Sequence, residues 1–353
     1  MDETTGSARD SFAFDGNIAD YARIAFVNLL LTLLTLLTLG VYAFWGSARA
    51  RRYLWAHTRF VDDHLEWTGT GKELFKGFVA VFFLVMLPLL LINLLLQSAV
   101  MRGEPLTAGL LGLGFTLSIL YLLGVAHFRM LRYRLSRTLW RGIRGGSDRA
   151  GWRYGGFALA RGALLLPTFW LTLPSYNIAL WNRRWGEMSF GPFPFETAAT
   201  TKGLYKRFFG LFGLAILGFL VMGLMLGFMV AAGEARLAST LVTGFMYLLF
   251  ALVGALYFAV YFRNAVGGLS LGGLHFRFLA SSGDWVRFFA GNLALVVVTL
   301  GLGVVLLPYR NWQFFITHLA ATGGIDADTL SQSSARAPGE GEGLAGAFEI
   351  GAI

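Results

Sequence analysis

The sequence predicts an all-α integral membrane protein with two parallel repeats of about 130 residues and a third half-repeat, carrying re-entrant or kinked helices and a small cytoplasmic β cap. Three observations lead there. Apolar residues make up 56% of the chain, charged residues 14%, and mean hydropathy is +0.61; a soluble domain carries roughly a quarter charged residues. Apolar stretches at 24–45, 77–101, 106–128, 155–181, 208–232, 238–262 and 288–309 each reach the ~20 residues that cross ~30 Å of hydrocarbon as a helix. Motifs also recur. Tyr21-x-Arg23-x4-Asn28-Leu29 returns as Trp285-x-Arg287-x4-Asn292-Leu293, with Trp152-Arg153 midway, and Thr38-Leu39-Gly40-Val41-Tyr42 returns as Thr172-Leu173-Pro174-Ser175-Tyr176. Lys72-x3-Lys76 returns as Lys202-x3-Lys206, and Phe128-Arg129 as Phe262-Arg263.

Taken in order, residues 1–20 form a polar N-terminal segment, without the basic start and short apolar run of a cleavable signal. Repeat 1 runs over 21–151, repeat 2 over 152–284 and the half-repeat over 285–318, and 319–353 is a flexible C-terminal tail of Gly, Ser, Ala and acid. Within that tail, Glu340-Gly-Glu342-Gly leads to a short apolar end, Ala347-Phe348-Glu349-Ile350.

Charge decides the sidedness. Lys and Arg number six in 46–76, eight in 129–153, five in 182–207 and three in 263–287, whereas 102–105 and 233–237 each pair one Arg with one Glu. Basic linkers face the cytoplasm. Seven straight crossings would put 46–76 and 182–207 on opposite faces, although they are equivalent parts of the repeat. The conflict disappears if 24–45, 155–181 and 288–309 enter and leave on the cytoplasmic side, between ordinary helical hairpins at 77–128 and 208–262. Those three stretches hold breakers: Thr32, Thr35, Thr38 and Gly40; Pro167 and Pro174; Gly301, Gly303 and Pro308. A kinked full-length helix is the rival reading, and for the first stretch it stands beside re-entry.

Period-two runs at Phe12-Ala-Phe14, His64 to Trp67, Met188 to Phe195 and Leu274 to Phe278 read as strands of the cap.

Chemistry is sparse. The five histidines show no metal-ligand spacing, cysteine is absent, and no nucleophile–base pair, P-loop or intramembrane carboxylate pair occurs. The chain therefore reads as a non-enzyme without cofactor or metal, and the missing intramembrane acids count against ion-coupled transport. Although the net charge is +9, the arginines flank apolar segments, so membrane lipids and not nucleic acid are the expected partners. Candidate ligand or lipid contacts are Arg49, Arg51, Arg52, Arg161, Arg183, Arg184 and Arg310. Candidate interface anchors are Tyr42, Trp45, Tyr176, Trp181, Tyr309 and Trp312. Arg161 lies well inside an apolar stretch, where it either snorkels to head groups or contacts a ligand. Asn28 and Asn292, at equivalent positions, suggest matched inter-helix hydrogen bonds.

At Phe12-x-Phe14-x-Gly16, Leu39-Gly40-x-Tyr42-x2-Trp45 with Arg49, Arg51, Arg52 and Tyr53, His64-Leu65-Glu66-Trp67-Thr68-Gly69 and Glu73-Leu74-Phe75-x-Gly77, the chain resembles the YjgN family of bacterial inner-membrane proteins. The resemblance implies a multi-pass protein of the bacterial inner (cytoplasmic) membrane, and carries over no activity, substrate or cofactor. It also points to a membrane-protein partner, for example a membrane metallopeptidase. Two functions follow: non-coupled transport or lipid handling, or a structural or adaptor protein presenting cap and tail to that partner.

Overall fold

The structure is a computed structural model and describes residues 11–34, 41–325 and 331–335. Thr35, Thr38, Gly40 and the tail motifs at 340–343 and 347–350 lie outside the described residues. The chain runs β1 (Phe12–Phe14), α1 (Ile18–Leu34), α2 (Ala43–Ala56), β2 (Thr58–Phe60), β3 (Asp63–His64) and β4 (Glu66–Trp67), then α3 (Gly71–Val81), α4 (Leu87–Met101) and α5 (Pro105–Arg137). It continues through β5 (Thr138–Trp140), β6 (Ile143–Gly146), α6 (Trp152–Ala163), α7 (Leu173–Trp185), β7 (Ser189–Phe190), β8 (Phe193–Thr197), α8 (Leu204–Ala231) and α9 (Ala235–Gly267). The last elements are β9 (Leu269–Leu271), β10 (Leu274–Phe278), α10 (Ser282–Val298), α11 (Leu307–His318) and β11 (Leu319–Thr322).

Among the described residues four helical spans are long and apolar enough to cross a membrane: Gly71–Met101, Pro105–Arg137, Leu204–Ala231 and Ser239–Gly267. Their most apolar windows are only 0–28% buried within the chain. Leu84, Leu224 and Phe228 are each more than three-quarters exposed, a surface that demands lipid or protein cover. Between α3 and α4 the helix widens into one π turn at Phe82–Met86. Pro88 follows two residues on; its ring displaces the carbonyl four residues back and it offers no donor, so the ladder shifts register there. Each long pair closes in the same tight cap. Gly103 and Gly233 take positive φ, and Glu104 and Glu234 donate their backbone N–H five residues back, to Ala99 and Met229.

The other three pairs are short and broken. α6 and α7 have 12 and 13 residues, about 18–20 Å at ~1.5 Å per residue. A turn at 164–172 joins them, with Phe169 and Trp170 both at positive φ. α10 breaks at Leu300 and Gly301, both at positive φ, before a 3-10 turn at Leu302–Leu306. All five pairs leave the sheet and return to it. They pack in a circuit: α2 on α3, α5 on α6, α7 on α9, α9 on α10, and the Leu302–Leu306 turn on α1.

The label all-α is corrected by that sheet. Among the described residues β4 to β11 form an antiparallel sheet in sequence order, and β1, β2 and β3 form a second. Only Leu65 separates β3 from β4, and at the other end Ser11 Oγ donates to Ala321 O at 2.7 Å, so the strands follow a nearly closed course. Strands of two to five residues carry little period-two signal, and their neighbours come from distant hairpins: Gly145 pairs with Phe190, and Phe195 with Leu271. β6 is the least legible, because glycine is poor in strands. Gly145 is required there, since a Cβ would meet Ser189 O at 2.9 Å. The basic linkers are also shorter than hydropathy implies: α5 runs through Arg129, Arg132 and Arg134 to Arg137, because water favours the charges without ending the helix.

The core lies where helix ends meet the sheet. One cluster gathers Phe128, Trp140, Trp181, Phe190, Phe262 and Trp285, and another Tyr21, Phe44, Trp55, Trp67, Tyr133 and Tyr309. Residues 331–335 dock on this end as well: Gln332 Nε2 donates to Gly142 O at 3.0 Å, and Arg144 Nη2 donates to Ala335 O at 2.7 Å.

Candidate functional site: a groove on the last helical pair

The arginines picked out by sequence fall into different environments. Arg49 is exposed and donates to Tyr42 Oη at 2.6 Å; Arg52 is exposed; Arg51 is 5% exposed, with its guanidinium 5.3 Å from the Trp67 ring. Arg51 is thus out of reach of lipid. Arg161 is exposed on α6, its guanidinium 5.4 Å from the Phe157 ring. Arg183 pairs with Glu187 at 2.9 Å, and Arg184 sits 5.9 Å from the Trp181 ring.

The anchors divide similarly. Trp45 is exposed, and Tyr42, Tyr176 and Trp312 are half-buried, but Trp181 and Tyr309 lie inside the protein at 3% and 2% exposure. Tyr309 Oη donates to Gly16 O at 2.6 Å, and Trp312 Nε1 donates to Thr58 Oγ1 at 2.8 Å while stacking on Trp55. These two aromatics stitch the last pair to the first. Burial also shows which residues begin the broken pairs: Tyr21, Tyr154 and Trp285 are 1%, 2% and 3% exposed, whereas Trp152 is 49% exposed. At the start of α6 the buried aromatic is Tyr154 and the exposed one Trp152.

Arg310 stands apart. Pro308 sets the start of α11, so Arg310 lies eight residues, about 12 Å, short of the sheet end of that helix. Its Nε donates to Asn292 Oδ1 at 2.7 Å, and Asn292 Nδ2 donates to Asn311 Oδ1 at 3.3 Å. The guanidinium lies against α10 because Gly291 has no side chain: a Cβ there would meet Arg310 Nη2 at 2.6 Å. In the first pair Asn28 Nδ2 instead donates to Gly46 O at 3.1 Å. Both asparagines bond across their pair, Asn28 to a carbonyl and Asn292 to a charged side chain.

The Nη atoms of Arg310 make no hydrogen bond to a described residue, and Arg310 lines a surface groove of about 390 Å³. Phe288 and Phe314, stacked at 4.3 Å, help to line it; Gln313 and Thr317 add polar groups; Asp284, Arg287 and His318 stand near the sheet end. Asp284 caps α10 reciprocally with Ser281. The Ser281 hydroxyl and backbone N–H hold its carboxyl below the usual range, with His318 and Arg287 adding to the effect. That acid also lies 3.7 Å from Arg287 Nη1, so of the groove's two arginines Arg310 is the one with no carboxylate partner among the described residues. Such a groove suits an anionic oxygen cluster with an apolar body. Among the described residues no group of three or more His, Cys, Asp or Glu could hold a metal ion.

Four membrane-length apolar helices beside three broken pairs, with a cationic groove on the last, are the layout of an integral membrane protein. The chain belongs to the family described as bacterial protein of unknown function (DUF898), which matches residues 9–347. It is 31% identical over 150 residues to inner membrane protein YjgN of Salmonella typhimurium, covering 41% of this chain and 33% of that one. It is 33% identical over 135 residues to inner membrane protein YjgN of Escherichia coli O157:H7, covering 38% of this chain and 30% of that one. The chain thus matches about a third of the length of these curated relatives. No solved structure matches it. With these relatives and four membrane-length helices, the chain is a protein of the bacterial inner membrane.

Proposed function

We propose that the protein handles anionic lipid without ion coupling and without catalysis, and that the Arg310 groove receives the head group. One observation carries this reading: an arginine about 12 Å inside the helical layer, held at Nε by Asn292 and with no hydrogen bond at its Nη atoms to a described residue, lines an aromatic-sided surface groove. A charge at such a depth needs a counter-charge or water, and two parallel N–H donors match a phosphate. Arg310→Leu is expected to lower the anionic phospholipid retained after purification in mild detergent several-fold, read by native mass spectrometry. Arg310→Lys should restore only part of it, because a point charge cannot make the two-pronged contact. Equal lipid in all three proteins would sink the proposal.

The same reading makes the three broken pairs re-entrant hairpins, the two long pairs complete crossings, and the sheet a cytoplasmic cap, with repeats at 21–151 and 152–284 and a half-repeat at 285–318. It is supported by the return of every pair to the sheet and by the basic charge at that end. Reporters fused after Arg102 and Glu234 should behave as periplasmic, and those near Lys72, Lys202 and the C-terminus as cytoplasmic. Opposite labelling of positions 72 and 202 would defeat the parallel arrangement.

A further inference from the structure

Residues 331–335 are held to the sheet by a means unlike the rest of the molecule. They have no helix or strand of their own, and Ala335 is their only apolar side chain. The Gln332 amide pairs with backbone at both of its ends: Oε1 accepts from Arg144 N at 3.1 Å, and Nε2 donates to Gly142 O at 3.0 Å. Arg144 returns the contact, its Nη2 donating to Ala335 O at 2.7 Å and to Ser333 O at 3.5 Å. Ser333 and Ala335 are 6% and 5% exposed, whereas Ser331, Gln332 and Ser334 are exposed.

Glycines shape the seat. A Cβ on Gly146 would meet Ala335 Cβ at 3.2 Å, and one on Gly191 would meet Ser331 O at 2.8 Å. Gly146 ends β6, and Gly191 follows β7 at positive φ. The segment therefore lies across the junction of two strands that α6 and α7 separate in sequence. That junction is slight: Gly145 pairs with Phe190 and Gly146 with Ser189. Docking rests on hydrogen bonds and one buried methyl group. Each bond is a modest net contribution, which places the contact at the low-stability, exchangeable end of the molecule. A side-chain amide bonded to both a backbone donor and a backbone acceptor, beside a seat with room only for small residues, selects by sequence and not by bulk.

We propose that residues 142–146 and Gly191 form a peptide-binding site on the sheet, separate from the Arg310 groove and independent of its function. The ligand is a short segment with a glutamine followed by small residues, and residues 331–335 of the same chain occupy the site. Bound there, the segment clasps β6 to β7. Ser331 follows the end of β11 by nine residues, and so short a tether holds the ligand at an effective concentration on the order of millimolar. A free peptide of the same chemistry takes the site at that concentration, or at less once the tethered copy is weakened.

The test uses the full chain in detergent. The chain has no cysteine, so single thiols report the docking through their reaction with a water-soluble maleimide. Ser333→Cys, nearly isosteric at a buried position, should react about tenfold more slowly than Ser334→Cys. Gln332→Ala, which removes an exposed side chain and leaves the core intact, should erase that difference. It should also speed amide exchange, read by mass spectrometry, in residues 143–146 and 189–190 while β9 and β10 keep their protection. Added peptide of residues 329–337 should restore the slow exchange to the Gln332→Ala chain saturably, and the same peptide carrying Gln332→Ala should not. Protection of position 333 that fades on dilution would assign the occupant to a second copy and overturn the same-chain clasp. Equal reactivity at 333 and 334, unchanged exchange in Gln332→Ala, or no rescue by the peptide overturns the site itself.

Discussion

Replacing Trp285 by Ala is expected to destabilise the protein by about 3–5 kcal/mol, the range for deleting a buried large aromatic. Trp285 is 3% exposed, and its indole meets Phe262 of α9, Phe278 of β10, and Phe314 and Phe315 of α11, all with ring centroids within 6.2 Å. It therefore joins a long helix, the sheet and both arms of the last broken pair, and no single neighbour can move in to fill its place. Denaturant titration in detergent micelles, followed by the fluorescence of the other tryptophans, reads the loss. A cost under about 1 kcal/mol would mean that this junction is looser than its geometry states.

The second large effect concerns adjacent glycines at the end of α9. A Cβ on Gly268 would run into the backbone N and Cα of Ala199 and come within 2.7 Å of the Ala198 carbonyl carbon. Backbone cannot swing aside as a side chain can. The N–H of Ala198 also donates to Gly268 O at 2.7 Å, so a displaced strand loses that bond as well. Gly268→Val should cost about 3 kcal/mol, the upper part of the overpacking range, and reduce the yield of folded protein. Gly267 has no atom within 4 Å of its would-be Cβ and ends a helix. Gly267→Ala should then be neutral or stabilise by up to about 1 kcal/mol. Thermal unfolding of both variants checks the contrast; equal melting temperatures would contradict the close approach of α9 to residues 198–199.

These two positions show how differently legible the molecule is. Trp285 stands out in the sequence as the partner of Tyr21 in a recurring motif, and both prove to be core residues. Nothing in Gly267-Gly268 tells the two glycines apart, because the atoms that forbid a side chain belong to residues about 70 positions earlier. Arg310 is an intermediate case. Read beside Tyr42-x2-Trp45, Tyr309-Arg310-Asn311-Trp312 looks like a membrane-boundary motif. Counting from Pro308, which opens α11, would have placed the arginine at depth. The π turn before Pro88 carried the same kind of signal, since proline acts on a carbonyl four residues away.

The sequence by itself determined the four long apolar helices and the breaks in the fourth and seventh apolar stretches. Transfer free energy accrues residue by residue, and proline and glycine act on the backbone where they stand. Only the tertiary structure decided the rest. The β4–β11 sheet arises because strands from five places in the chain lend each other partners that none holds alone. The fate of each arginine follows the same logic: Arg51 is buried under Trp67, Arg310 rests in the space left by Gly291, and Arg184 sits 5.9 Å from the Trp181 ring. Whether a charge meets lipid, a ring or an amide is fixed by how the chain packs, because packing and hydrogen bonding act across space and not along the chain.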